Sequence, residues 1–225
     1  MKNKILNIYS ILLEKYGRQG WWPVNSKNAD KKSRGFEIAI GAILTQNTSW
    51  KNVEKAMNNL IEKNLLSPEL ILKTPLSGIA ECIKPAGYYN QKAERLKIFS
   101  EFFLGEFDRL KEIDTGKARQ KLLSVKGIGP ETADSILLYA LNKPVFAIDA
   151  YTKRLFSRML GVGFKNYDGW QDFFHKNLED IEKKTEMFNE FHALIVEHCK
   201  NVCRKKQICE KCSLSNICKA KTPNA

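Results

Sequence analysis

The sequence predicts an all-α fold. Three observations carry that: apolar residues recur at three-and-four spacing along most of the chain, helix-start signals precede several of these segments, and only one short run has strand character. The opening residues set Ile5, Leu6, Tyr9, Leu12, Leu13 and Tyr16 on one helical face. Further faces follow over 35–44, 53–61, 93–103, 131–141, 150–160 and 187–198. Ser67-Pro68-Glu69 and Thr74-Pro75-Leu76 each put a capping hydroxyl before a first-turn proline, whose missing N–H would have no partner there anyway. Residues 144–148 are apolar and partly β-branched, and read as a connector. Residues 25–32 are polar and read as a loop, and 222–225 as a frayed tail.

A chain of 225 residues can bury a full core without disulfides. Lysine and arginine leave it with a net charge of +12, which points to a polyanionic partner. No apolar run approaches membrane-spanning length, and the first residues lack the small-residue site of a cleaved signal. We therefore expect a cytoplasmic protein with no membrane partner, whose thiols stay reduced.

The stretch LLSVKGIGPETA is the most specific. A helix ends near Val125, Lys126-Gly127-Ile128-Gly129 turn the chain, and Pro130 opens a second helix. Two glycines permit positive φ and close backbone approach. N–H groups at the second helix's start suit a phosphate, which fixes register on a nucleic acid without reading bases. A plain helix–helix packing turn would use the same residues. Taken with Thr132-Ala133 and Val145-Phe146-Ala147-Ile148-Asp149, the stretch resembles the helix-hairpin-helix DNA repair glycosylases of the endonuclease III superfamily. The likeness extends over nearly the whole chain. It implies a two-lobed fold, with a central helical domain over 34–142 that carries the hairpin. Residues 1–33 plus 143–225 form the other lobe. It also implies a nucleoid-associated monomer whose partner is double-stranded DNA containing a damaged base.

Asp149 precedes the helix at 150–160, where aspartate is a favoured N-cap. Breaking an N-glycosidic bond builds positive charge on the sugar, which a carboxylate stabilises. The resemblance puts the catalytic aspartate at Asp149. Glu131 stands where relatives that also nick DNA carry a lysine that forms a Schiff base, a bond glutamate cannot make. That implies water as nucleophile and an abasic product. Glu131 is also a first-turn acid suited to the helix dipole. Lys126, Lys143 and Lys153 are near enough in sequence to supply an amine.

Trp21, Trp22, Pro23 and Trp50 gather aromatic surface in polar surroundings. They read either as core packing or as a pocket that sandwiches a flipped base, with Glu131 close by. By resemblance, Gln46 fills the hole left by the extruded nucleotide. Tyr88, ahead of Asn90-Gln91-Lys92-Ala93, is the second wedge where relatives often carry an aliphatic residue. Trp-Trp-Pro together with Gln46-Asn47-Thr48-Ser49-Trp50 looks most like the 3-methyladenine DNA glycosylase III branch, which also lacks the lysine. A methylated purine is cationic, and a tryptophan face attracts it by about 0.5–2 kcal/mol.

Cys203-x5-Cys209-x2-Cys212-x5-Cys218 is a metal-binding pattern, and spacing alone leaves zinc and iron–sulfur both open. Endonuclease III relatives end in a four-cysteine loop that binds [4Fe-4S], so the resemblance implies that cluster. Many relatives have one more residue in the first gap. Cys199 is an additional thiol, Cys82 reads as core, and His175, His192 and His198 read as structural.

The expectation is a monofunctional glycosylase that hydrolyses the bond to an alkylated purine. Its rivals are a glycosylase with lyase activity on oxidised or mismatched bases, and a non-catalytic DNA-binding module.

Overall fold

The structure, a computed structural model, describes residues 1–23 and 30–220. Most of the loop read at 25–32, and the tail at 222–225, lie outside the described residues. Among the described residues the fold is all-α, without a strand. In chain order the helices are α1 Lys2–Tyr16, α2 Lys31–Leu44, α3 Trp50–Glu62, α4 Pro68–Lys73, α5 Leu76–Ile83 and α6 Tyr89–Glu106. There follow α7 Arg109–Glu112, α8 Thr115–Leu123, α9 Pro130–Ser135, α10 Ala150–Leu160, α11 Tyr167–Asn177 and α12 Lys184–Asn201. No helix among them is long and apolar enough to cross a membrane.

The caps explain several boundaries. Asp30 accepts from the Lys32 and Ser33 amides, Ser67 from Leu70, Asp114 from Lys117 and Asn166 from Gly169. Thr74 behaves otherwise. Its hydroxyl donates back to the Leu70 carbonyl at 2.7 Å, closing α4, so α5 starts from Pro75 without a side-chain cap. The face read over 131–141 is α-helical only through Ser135 and continues as a π-turn over Ile136–Ala140. Residues 144–148 are a connector without regular structure, buried from Val145 to Ile148.

Two compact units form, each around its own aromatic core. One joins Met1–Trp21 to Pro144–Ala225. In it Phe146 stacks on Phe174 at 4.1 Å and meets Phe188 and Phe191 edge-on, while α1 and α10 pack against α12. The other comprises Trp22–Lys143. There Phe36, Phe99, Phe103 and Phe107 fill the interior, and α6 packs on α4 and α5. This unit opens at Trp22, ahead of residue 34, because Trp22 packs on Gly41 and Tyr139. Each fully buried phenylalanine contributes roughly 1.5–3 kcal/mol.

Candidate DNA-contacting and active-site residues

Within the Trp22–Lys143 unit the hairpin joins α8 to α9. Its turn closes through the Ile128 amide on the Val125 carbonyl at 3.0 Å. Gly127 has φ +90°, and a Cβ there would stand 2.6 Å from Arg95 Cγ. Gly129 differs. Its φ of −90° is open to any residue, and it caps α9 in open space, with no atom within 4 Å of where a Cβ would stand. Ile128 is buried, so only its backbone faces outward, whereas Lys126 is exposed. An ion pair fixes the angle between the two helices: Arg119 Nε donates to Asp134 Oδ1 at 2.8 Å, and Asp134 is fully buried. Glu131 is exposed in the first turn of α9.

Gln46, just past α2, is fastened to this hairpin. Its Nε2 donates to the Gly127 carbonyl at 3.1 Å and to Thr132 Oγ1 at 3.0 Å, while its Oε1 accepts from Arg95 Nη1. Lys92 lies beneath, 1 % exposed, with Nζ donating to the Leu44 and Ala86 carbonyls at 2.9 and 2.8 Å. Burial, helped by the neighbouring Arg95 charge, pushes the Lys92 ammonium down to about 8. It ties the chain two residues before Gln46 to the chain two residues before Tyr88. Tyr88 itself is 66 % exposed, with a left-handed φ of 47°.

In the same unit Trp22 meets Trp50 at 5.4 Å and Tyr139 at 5.0 Å, both edge-on. Gly41 makes the space: a Cβ there would press the Trp22 indole nitrogen at 3.2 Å. Trp50 donates its own indole N–H to Glu54 at 2.8 Å. Pro23 is exposed.

Trp21 belongs to the other unit. His192 of α12 stands at its edge, 6.2 Å between centroids, and the Lys200 ammonium lies over its ring at 5.8 Å. Asp149 caps α10, accepting from the Thr152 amide at 2.7 Å, and its other oxygen faces His192 Nε2 at 3.7 Å. Burial raises the Asp149 carboxyl, but His192 and the Thr152 amide outweigh it and hold the group below its ordinary value. The cap and the charged role therefore coexist in one side chain.

Cys203, Cys209, Cys212 and Cys218 line one small hollow, partly open to solvent and walled by Leu155, Met159, Val202 and Ile208. Among the described residues no three histidine, cysteine or acidic side chains are drawn together into a closed ligand group. The donor set still fits a thiolate-ligated centre: four sulfurs border a single cavity, in largely apolar surroundings. A hydrogen bond from the Cys199 thiol and the Arg158 guanidinium hold Cys203 down to about 6 against its burial. Cys199 is pushed up by the same bond and by burial, and does not line the hollow. His198 has a neutral imidazole, lowered to about 4 by burial, between Tyr16 OH at 2.9 Å and Cys212 Sγ at 3.6 Å. Helix α10 grips this loop. Arg154 donates to the Cys203 carbonyl at 2.8 Å, and Arg158 to the Arg204 and Lys205 carbonyls and to Cys203 Sγ.

Arg95, Gly41, Tyr139 and Asp134 do not stand out in the sequence, where His192 reads as structural only. A buried polar residue on an otherwise apolar helix face was the one available signal for His192 and Asp134.

Residues 40–180 match the HhH-GPD superfamily base excision DNA repair protein family. A Methanocaldococcus jannaschii protein provisionally named a DNA repair glycosylase is 47% identical over 223 residues, covering 96% of each chain. Endonuclease III of Sulfolobus acidocaldarius is 29% identical over 94% of each. Among solved structures, the H. pylori 3-methyladenine DNA glycosylase bound to 1,N6-ethenoadenine superposes with a TM-score of 0.71 at 32% identity, covering 86% of this chain and 96% of that one.

Proposed function

The chain belongs to the HhH-GPD superfamily of base excision DNA repair proteins and is a DNA glycosylase. From that premise we propose that it hydrolyses the bond to an alkylated purine of the 3-methyladenine type and leaves an abasic site. The packing of Trp22 against Trp50 and Tyr139 is the observation that carries the reading. Such electron-rich surface favours a base made cationic by N3- or N7-methylation. A cationic base also departs readily, so no strong general acid is needed. The likeness to the H. pylori enzyme supports the same substrate class.

The residues around the hairpin support hydrolysis over lyase chemistry. Glu131 occupies the position at which a nucleophilic lysine would sit, and it cannot form an imine. Lys143 Nζ is engaged by the Ile113 and Lys111 carbonyls, and Lys153 lies over the Tyr167 ring at 5.6 Å. In this reading Asp149 steadies the electron-poor deoxyribose and orients water. Lys126, Gly127, Ile128 and Gly129 hold a phosphate, the last three through backbone. Gln46 and Tyr88 fill the gap left by the flipped nucleotide, and Pro23 extends the surface of Trp22 and Trp50 against the base. Cys203, Cys209, Cys212 and Cys218 would hold a [4Fe-4S] cluster, which when bound supplies folding free energy for the basic C-terminal loop.

The test is a set of duplexes, each with one damaged base, treated with protein and then with alkali. Alkali-dependent cleavage at methylated purines, without a borohydride-trapped adduct, is the expected result. Strand cleavage without alkali together with a trapped adduct would establish the endonuclease III-like lyase instead. Binding without release of any base would leave a DNA-binding module.

A further inference from the structure

We propose that His192 is the positioning residue of Asp149, keeping the outer oxygen of its carboxylate aimed; this rests on the reading of Asp149 as the acid that steadies the sugar. The cap commits Asp149 Oδ1 to the Thr152 amide at 2.7 Å, which leaves rotation of Oδ2 as the carboxylate's freedom. His192 Nε2 stands 3.7 Å from Oδ2 and closes that arc. The imidazole is itself fixed. It is 5 % exposed, on the buried face of α12, with the Trp21 ring against it at an interplanar angle of 78°. Two residues earlier on α12, Glu190 accepts from the Gln19 amide at 2.5 Å, which pins the segment leading to Trp21 onto the same helix. His192 of α12 thus stands against both Asp149 and Trp21.

A carboxylate whose side chain is only 14 % exposed costs free energy unless donors satisfy it. The Thr152 amide meets one oxygen, and the imidazole is the polar group set against the other. A rotated or neutral carboxyl would no longer oppose positive charge on deoxyribose, so His192 acts on the reaction through Asp149. It also keys the acid to Trp21, so aromatic contact and electrostatic support come from one rigid assembly.

The experiment follows single-turnover release of methylpurines from dimethyl sulfate-treated DNA by the full chain, with DNA affinity measured beside it. Asp149→Asn is expected to abolish release while binding persists. His192→Phe is expected to slow release by roughly 10–100-fold, the range for groups that orient a reactive ligand, with affinity changed less than about twofold. His192→Gln, whose amide nitrogen reaches the place of Nε2, is expected to stay within about fivefold of the parent. A folded His192→Phe protein at the parent rate overturns the inference, and so does a folded His192→Gln protein as slow as the Phe variant. Release by Asp149→Asn at the parent rate overturns the reading of Asp149 itself, which is a separate failure.

Discussion

Gln46 donates from its side-chain nitrogen to the Gly127 carbonyl at 3.1 Å, and with Thr132 and Arg95 it makes the end of α2 and the hairpin one hydrogen-bonded body. A residue expected to enter DNA is therefore held in place before DNA arrives, and its role there starts from an ordered position.

Replacing Gln46 by Ala removes the donor to Gly127 and the acceptor for Arg95. We expect a loss of about 1–3 kcal/mol in stability, read by urea unfolding, and weaker DNA binding. Gln46→Glu keeps the partner of Arg95 but cannot donate to Gly127, so it is expected to fall between the two.

The two hairpin glycines should separate cleanly. Gly127→Ala must adopt φ +90° and displace the Arg95 stem, so we expect a loss of more than about 1 kcal/mol. Gly129→Ala is expected to change stability by less than about 0.5 kcal/mol. A fall in affinity, or a shallower salt dependence, in the Gly129 variant then reports a DNA contact alone.

Glu131 is exposed, so Glu131→Lys is expected to leave the fold intact. It sets an amine where relatives form a Schiff base. A borohydride-trapped protein–DNA adduct should appear with the variant and be absent with the parent.

Lys92 makes stability depend on alkaline pH. Its folded value, about 8, lies below its ordinary 10.5, so between these the unfolded chain binds the extra proton. The burial cost is fully present below pH 8 and is lost as pH rises toward 10.5. The stability of the parent relative to Lys92→Met should therefore rise by about 1 kcal/mol per pH unit across that window. Parallel urea titrations at pH 7.5, 8.5 and 9.5 read it.

Loss of a cysteine should act on folding before chemistry. Cys212→Ser is expected to lower bound iron and the melting temperature together, measured by iron assay and thermal unfolding. A variant that retains full iron and full stability would remove Cys212 from the ligand set.

Local signals were legible where one segment decides the outcome. Helix α10 runs over 150–160 as its periodicity indicates, and Asp149 caps it as its residue type favours. Ser67 caps α4, whereas Thr74 has the same residue pattern but turned its hydroxyl backward, a choice made by the preceding turn. Of α8 only the end near Val125 shows in the sequence, α7 is too short to show a face, and α11 holds Trp170 and Phe174 buried without a start signal that marks it out. What sequence order hides is partnership at distance. Gln46 and Gly127 are 81 residues apart, and the meeting of His192 with Asp149 needs α12 folded against α10. Gly129 reads like Gly127 in sequence and differs from it in backbone angle and in the open space around it.

Helix α10 has one further implication. Its eleven residues, about 16 Å of rod, run from the Asp149 cap at the front to two guanidinium clasps on the cysteine segment behind. A screen for inactive mutants should thus return Arg154 and Arg158 beside Asp149, and damage to the sulfur-rich terminus would register as lost turnover in a protein whose chemical groups are all still present.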